Sequence, residues 1–138
     1  MRILIFEDDS NVLSLVKGLL AGWGHHAVEG RLDQSAEKQL ESEAYDVVLT
    51  DIQMPRLSGG QILRWTRRHR PGVPVIGMSG SGVAELARHG LSTADFASFL
   101  FKPFRGPQVL KALELALRVP RNMSSEGNSM REGTADLK

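Results

Sequence analysis

Arg2-Ile3-Leu4-Ile5-Phe6-Glu7-Asp8-Asp9-Ser10 passes from an apolar run straight into three consecutive acids. Residues 2–6 are apolar at nearly every position and do not alternate, as in a strand covered on both faces of a parallel sheet. The acids that follow repel one another, and any of them held near an apolar sheet also loses hydration. One reading is local: acids and serines after a strand cap the next helix, and both Asp9 and Ser10 suit that role. The other is chemical, because carboxylates gathered at a strand end are what a hard cation such as Mg²⁺ binds.

Working outward, Ser10 opens a helix in which Val12, Leu15, Val16, Leu19, Leu20 and Trp23 recur at three- and four-residue spacing. Gly24 ends it. His26 to Glu29 reads as a short, weak strand, and Ser35 to Glu43 as a polar helix. Tyr45 to Thr50 is a second strong strand, and it too runs into an acid, Asp51. Pro55 and Gly59 punctuate the turn that follows. A helix then spans about 60–70, a strand 73–78, and a helix about 83–89 follows the glycine-rich Ser79-Gly80-Ser81-Gly82. Phe96 to Phe101 contains the last strand, stopped by Lys102-Pro103, and Val109 to Leu117 is a final amphipathic helix. Five strands alternating with five helices imply an α/β fold with a parallel sheet covered on both faces. From Pro120 onward the apolar pattern stops. Residues 119–138 read as a disordered tail or a cut linker, leaving one domain over 1–118.

The totals narrow the function classes. Lys plus Arg is 17 and Asp plus Glu is 16, a net charge of +1, so bulk charge favours neither a nucleic-acid nor a membrane partner. The absence of cysteine excludes disulfides and thiolate chemistry and fits a reducing cytosol. No apolar run approaches membrane-spanning length, and the N-terminus lacks a signal-peptide pattern. A cytoplasmic location is expected.

In open α/β sheets, sites form at the carboxyl ends of the strands. Here those ends carry Glu7-Asp8-Asp9, Asp51, Ser79 and Lys102. With the segments Ile3–Asp9 (ILIFEDD), Tyr45–Gly60 (YDVVLTDIQMPRLSGG), Pro74–Gly80 (PVIGMSG) and Phe99–Phe104 (FLFKPF) in this order, the chain resembles the receiver domain of bacterial two-component response regulators over about residues 1–118. The resemblance implies a flavodoxin-like (βα)5 three-layer sandwich with a five-stranded sheet in the order 2-1-3-4-5. In that order Ser79 would sit one strand spacing, about 4.8 Å, from Asp51, and Lys102 about 10 Å away, a gap that only a long cationic side chain spans.

The same resemblance implies the mechanism. Asp51 would take a phosphoryl group from a sensor histidine kinase or histidine phosphotransferase. Mg²⁺, or Mn²⁺, would be held by Glu7, Asp8, Asp51 and the backbone carbonyl of Gln53. Lys102 and the Ser79 hydroxyl would hold the phosphoryl oxygens, and Ser79 would carry the switch. Pro103 would follow a cis peptide bond, and Pro55 and Gly59 would shape the loop after Asp51. Gln53 and Ser81 fall at positions that tune acyl-phosphate lifetime; both are polar and leave the site open to water, so an intermediate lifetime is expected. Phe99 stands at the switch-aromatic position. It lacks the hydroxyl of many relatives, and reads equally as a core or rim aromatic. The chain would be a signalling switch rather than a turnover enzyme, controlling an output domain or a downstream protein and not touching nucleic acid itself.

Other signals have plainer readings. Arg67-Arg68-His69-Arg70 closes a helix, where cations complement the macrodipole. His25 and His26 lack a third metal ligand nearby and read as a loop. Trp23 and Trp65 are expected in or near the core, and Asn11 and Leu15 could belong to a kinase-docking surface. Residues 83–99 depart from the family pattern, with 94–97 reading as an insertion. Three alternatives remain: a hydrolase using Ser79 with a histidine, a phosphatase turning over through an aspartyl phosphate, and a degenerate receiver serving as an interaction module. The Gly-x-Ser-x-Gly elbow fails at Ser81, and the phosphatase pattern wants a carboxylate where Gln53 stands. Intact Asp8, Asp51 and Lys102 argue against a degenerate module.

Overall fold

Apolar runs without alternation become the central strands, and amphipathic stretches become the helices that cover them. In the computed structural model, which describes residues 1–118, the order is β1 (Arg2–Phe6), α1 (Ser10–Gly22), β2 (His26–Glu29), α2 (Ala36–Ser42), β3 (Val47–Asp51), α3 (Gly59–His69), β4 (Val75–Ser79), α4 (Gly82–Arg88), β5 (Ser98–Phe101) and α5 (Gly106–Arg118). Residues 119–138, read above as a tail or cut linker, lie outside the described residues. All pairings are parallel and the sheet order is β2-β1-β3-β4-β5, as the resemblance implies.

Successive strand residues face opposite sides of a sheet, so each central strand feeds two cores. On one side Ile3, Ile5, Val47, Leu49, Ile76 and Met78 pack with Val16 and Leu20 of α1 and with Val109 and Leu113 of α5. On the other, Leu4, Phe6, Val48 and Val75 pack with Leu40 of α2, Ile62 and Leu63 of α3, and Leu86 of α4. Burial on both faces is why β1, β3 and β4 carry continuous apolar runs.

Local expectations fare differently. Of the two cap candidates, Asp9 caps α1: its Oδ1 accepts from the N–H of Asn11 at 2.9 Å and of Val12 at 3.3 Å, while Ser10 is the first helical residue. Trp23 is 36% exposed, because α1 ends at Gly22 and the chain turns through Gly24 at φ +86° before the indole can reach the core. Trp65 does pack against the second core, partly buried. The stretch 94–97, read as an insertion, has an ordered role in the fold. Thr93–Asp95 form a 3-10 turn that delivers Phe96, 7% exposed, into that core. Among the described residues no helix is long and apolar enough to cross a membrane.

Candidate functional site

Glu7 follows β1 and Asp51 ends β3, and the pairing of these adjacent strands brings their carboxylates together. Asp8 joins them, with one carboxylate oxygen from each of the three lying within 4.8 Å of the others. Glu7 and Asp51 are buried, whereas Asp8 is exposed. Lys102, just past β5, reaches across the sheet end. Its Nζ stands 2.7 Å from Glu7 Oε1 and 3.1 Å from Asp51 Oδ2. The long side chain therefore spans the gap inferred from strand spacing.

The hydrogen bonds are incomplete in an informative way. Asp51 Oδ1 accepts from the N–H of Ile52 at 2.9 Å, and Oδ2 accepts from Lys102. Glu7 Oε2 accepts from the N–H of Asp9 at 3.1 Å. Glu7 Oε1 is buried with no aligned hydrogen-bond donor; Lys102 approaches it as a charge, off the hydrogen-bonding direction. Burial pushes the Glu7 carboxyl up to about 7, against the opposing pull of Lys102 and the Asp9 N–H. For Lys102, burial favours the neutral amine, but the contacts to Glu7 and Asp51 outweigh it and the ammonium is held above its ordinary range. Three clustered carboxyls, two of them sharing one ammonium, make an all-oxygen donor set that fits a hard divalent cation.

The loop after Asp51 is held tightly. A Cβ on Gly59 would stand 2.6 Å from Asp51 O and 2.8 Å from Ile52 Cα, so only glycine allows α3 to start this close to the acid. Ser58 caps α3 in a reciprocal box with Gln61. Met54 and Leu57 are buried on either side of exposed Pro55, and Gln53 is exposed two residues beyond Asp51. Pro103 does follow a cis peptide bond.

The β4 end differs. Ser79 is fully buried, and its hydroxyl donates to Glu85 of α4 rather than to the acid cluster. Ser81 is exposed, with its N–H donating to Ser79 Oγ at 3.2 Å. Phe99 is partly buried. Its ring lies edge-on to Phe96 at 5.4 Å and over Gly77, where an added Cβ would stand 2.3 Å from Phe99 Cε1. Phe99 packs against the second core while staying partly exposed, which is the core or rim reading. Glu85 and Gly77 were missed by sequence reasoning. An acid one residue before a core leucine in a short helix is ordinarily solvated, and a glycine in a strand does not name the ring it accommodates.

Asn11 and Leu15 are exposed on α1. The basic run is used within the fold: Arg67 donates to Asp95 O, Arg68 and His69 contact Glu37, and Arg70 donates to the carbonyls of Glu41 and Glu43.

Residues 3–114 match the family described as the response regulator receiver domain. Over 124 residues the chain is 27% identical to the transcriptional regulatory protein ZraR of Escherichia coli, covering 90% of this chain and 28% of that protein. It is 31% identical over 121 residues to the nitrogen assimilation regulatory protein NtrX of Azorhizobium caulinodans, covering 86% of this chain and 26% of that one. The crystal structure of a response regulator receiver domain from Clostridium thermocellum superposes with a TM-score of 0.68 at 29% identity, covering 84% of this chain and 93% of that one. The chain thus spans less than a third of the length of these curated relatives.

Proposed function

This chain belongs to the response regulator receiver domain family, and from that premise we propose that residues 1–118 form a phosphoacceptor domain in which Asp51 is the phosphorylation site. The observation that carries the reading is the convergence of Asp51, Glu7, Asp8 and Lys102 at one end of the sheet. The Asp51 carboxylate attacks phosphorus of a phosphohistidine on a sensor kinase or histidine phosphotransferase. An O–P bond forms, the P–N bond breaks, and the electron pair leaves with the imidazole, which takes up a proton. Lys102 Nζ, already 3.1 Å from Asp51 Oδ2, is within reach of a phosphoryl oxygen on that carboxylate.

Glu7, Asp8, Asp51 and the backbone carbonyl of Gln53 would hold Mg²⁺, with Mn²⁺ also suited. When bound, the ion neutralises phosphoryl charge at the acid cluster. Glu7 contributes a buried oxygen that otherwise lacks an aligned donor. The Ser79 hydroxyl is the second group that turns to the phosphoryl oxygens, moving the loop behind it, with Phe99 repacking over Gly77. Exposed Gln53 and Ser81 leave the acyl phosphate open to water, so the chain dephosphorylates itself and acts as a switch, not a turnover enzyme. Its output is an attached domain or a docking protein in the cytoplasm, without contact to nucleic acid or membrane by this segment.

The test is intact mass after incubation with acetyl phosphate and Mg²⁺. One phosphoryl adduct is expected on the wild-type chain, absent in Asp51→Asn and absent without the metal. A folded wild-type chain that accepts nothing from acetyl phosphate or from a phosphorylated histidine phosphotransferase would overturn the reading.

A further inference from the structure

Ser79 Oγ has both of its hydrogen-bonding roles filled: it donates to Glu85 Oε1 and accepts from the Ser81 N–H. Both side chains are out of solvent, Ser79 fully and Glu85 at 3% exposure. Among the described residues, no cation lies within ion-pair distance of Glu85, and the Ser79 hydroxyl is the one hydrogen-bond donor to its carboxylate. A hydroxyl has a single proton to give. The Glu85 oxygen that Ser79 serves and a phosphoryl oxygen are both acceptors, so Ser79 can serve Glu85 or a phosphoryl oxygen on Asp51, and not both at once.

We propose that Glu85 is a positioning residue that competes with the phosphoryl group for the Ser79 proton and so holds the domain in its unphosphorylated arrangement. This deepens, and rests on, the assignment of Asp51 and Ser79 above. When Ser79 turns to the phosphoryl group, Glu85 is left as a buried acceptor without a donor, which is costly. An outward movement of α4 returns the carboxylate to water. The connection is short and small: Gly80 and Ser81 link β4 to α4, whose first residue, Gly82, sits at φ +71°. The movement of α4 is therefore driven by the stranded carboxylate as well as by Ser79 itself. A purely structural tie between β4 and α4 would not require that the two acceptors exclude each other.

The test is a double-mutant cycle read by affinity for beryllofluoride, a phosphoryl mimic, in the presence of Mg²⁺, using the full chain. Glu85→Ala should bind roughly tenfold more tightly than wild type, the scale of one hydrogen bond to a charged group. In the Ser79→Ala background the same substitution should change nothing. Glu85→Gln keeps the shape and weakens the acceptor, so it should gain a smaller factor that is likewise lost without Ser79; it carries the cycle if the alanine variant does not fold. In the unliganded protein, the Ser81 amide resonance should move in Glu85→Gln towards its position in the beryllofluoride-bound wild type. Unchanged or weaker binding, or an equal gain with and without Ser79, would overturn the proposal while leaving Asp51 as phosphoacceptor intact. A wild-type chain that neither binds beryllofluoride nor takes up phosphate would overturn both.

Discussion

At the ends of β1 and β3, the acidic cluster rests on strands paired at Ile3↔Val47 through Phe6↔Thr50, with every residue of β3 buried. Across β4, the segment 82–97 rests on a seven-residue helix, a 3-10 turn and a few anchors: Leu86, Phe96 and the Arg67 bond to Asp95 O. In the first region the positions of functional groups follow from the hydrogen-bonded ladder. In the second they follow from single side chains, each worth only a small part of the fold's stability. A domain that must hold a reactive acid still and yet move a surface benefits from this division, since the ladder cannot slip without turning every side chain over, whereas a short helix with few anchors can re-seat.

Two glycine substitutions separate the regions most sharply. Gly59→Ala would drive its Cβ against backbone atoms that cannot swing away. It should cost on the order of 3 kcal/mol in a denaturant melt and displace Asp51, with phosphoryl uptake falling in parallel. Next in size is the pH dependence at Glu7. Burial holds this carboxyl at about 7 in the folded domain, against 4.5 for a free glutamate. Between those values the folded state binds more protons than the unfolded chain, so stability should fall as pH rises through that window and level off above it. The slope contributed is at most about 1.4 kcal/mol per pH unit. Glu7→Gln should remove that component, and a slope identical to wild type would show that Glu7 titrates normally.

Smaller effects are expected at the contacts of β4 with β5 and in the segment beyond. Gly77→Ala would meet the Phe99 ring rather than backbone, and a ring can rotate. A loss of about 1–2 kcal/mol is expected, with the Phe99 ring resonances displaced and the Asp51 region unchanged. Arg67→Ala removes the tie to Asp95 O and should cost about 1 kcal/mol. Its signature would be faster amide exchange confined to Asp95–Phe96. Effects from either substitution that spread to Glu7 and Asp51 would erase the distinction between ladder and anchors.

What the sequence made legible follows the same line. Apolar runs ending in Glu7, Asp51, Ser79 and Lys102 were enough to infer the strands and a parallel sheet; their order, and with it the meeting of the acids with Lys102, came from the resemblance to the receiver family. The cap of α1 was less legible, since Asp9 and Ser10 are chemically interchangeable there and only geometry selects Asp9. Gln39 was read as part of a polar helix, yet it is buried, accepting from the Arg31 N–H at 2.7 Å and donating to Glu29 O at 3.1 Å. Such loop-clamping contacts join residues with no common periodicity. The Ser79–Glu85 bond and the Gly77–Phe99 contact were hidden for the same reason: each depends on where a short element lies against its neighbour, and hydrophobic pattern does not encode that distance.

The most direct measurement is to phosphorylate the chain with acetyl phosphate and Mg²⁺, reduce the acyl phosphate with borohydride, and map the reduced residue by peptide mass. The account predicts conversion at Asp51 alone. Conversion at Asp8 or Glu7, with Asp51 unmodified, would contradict it.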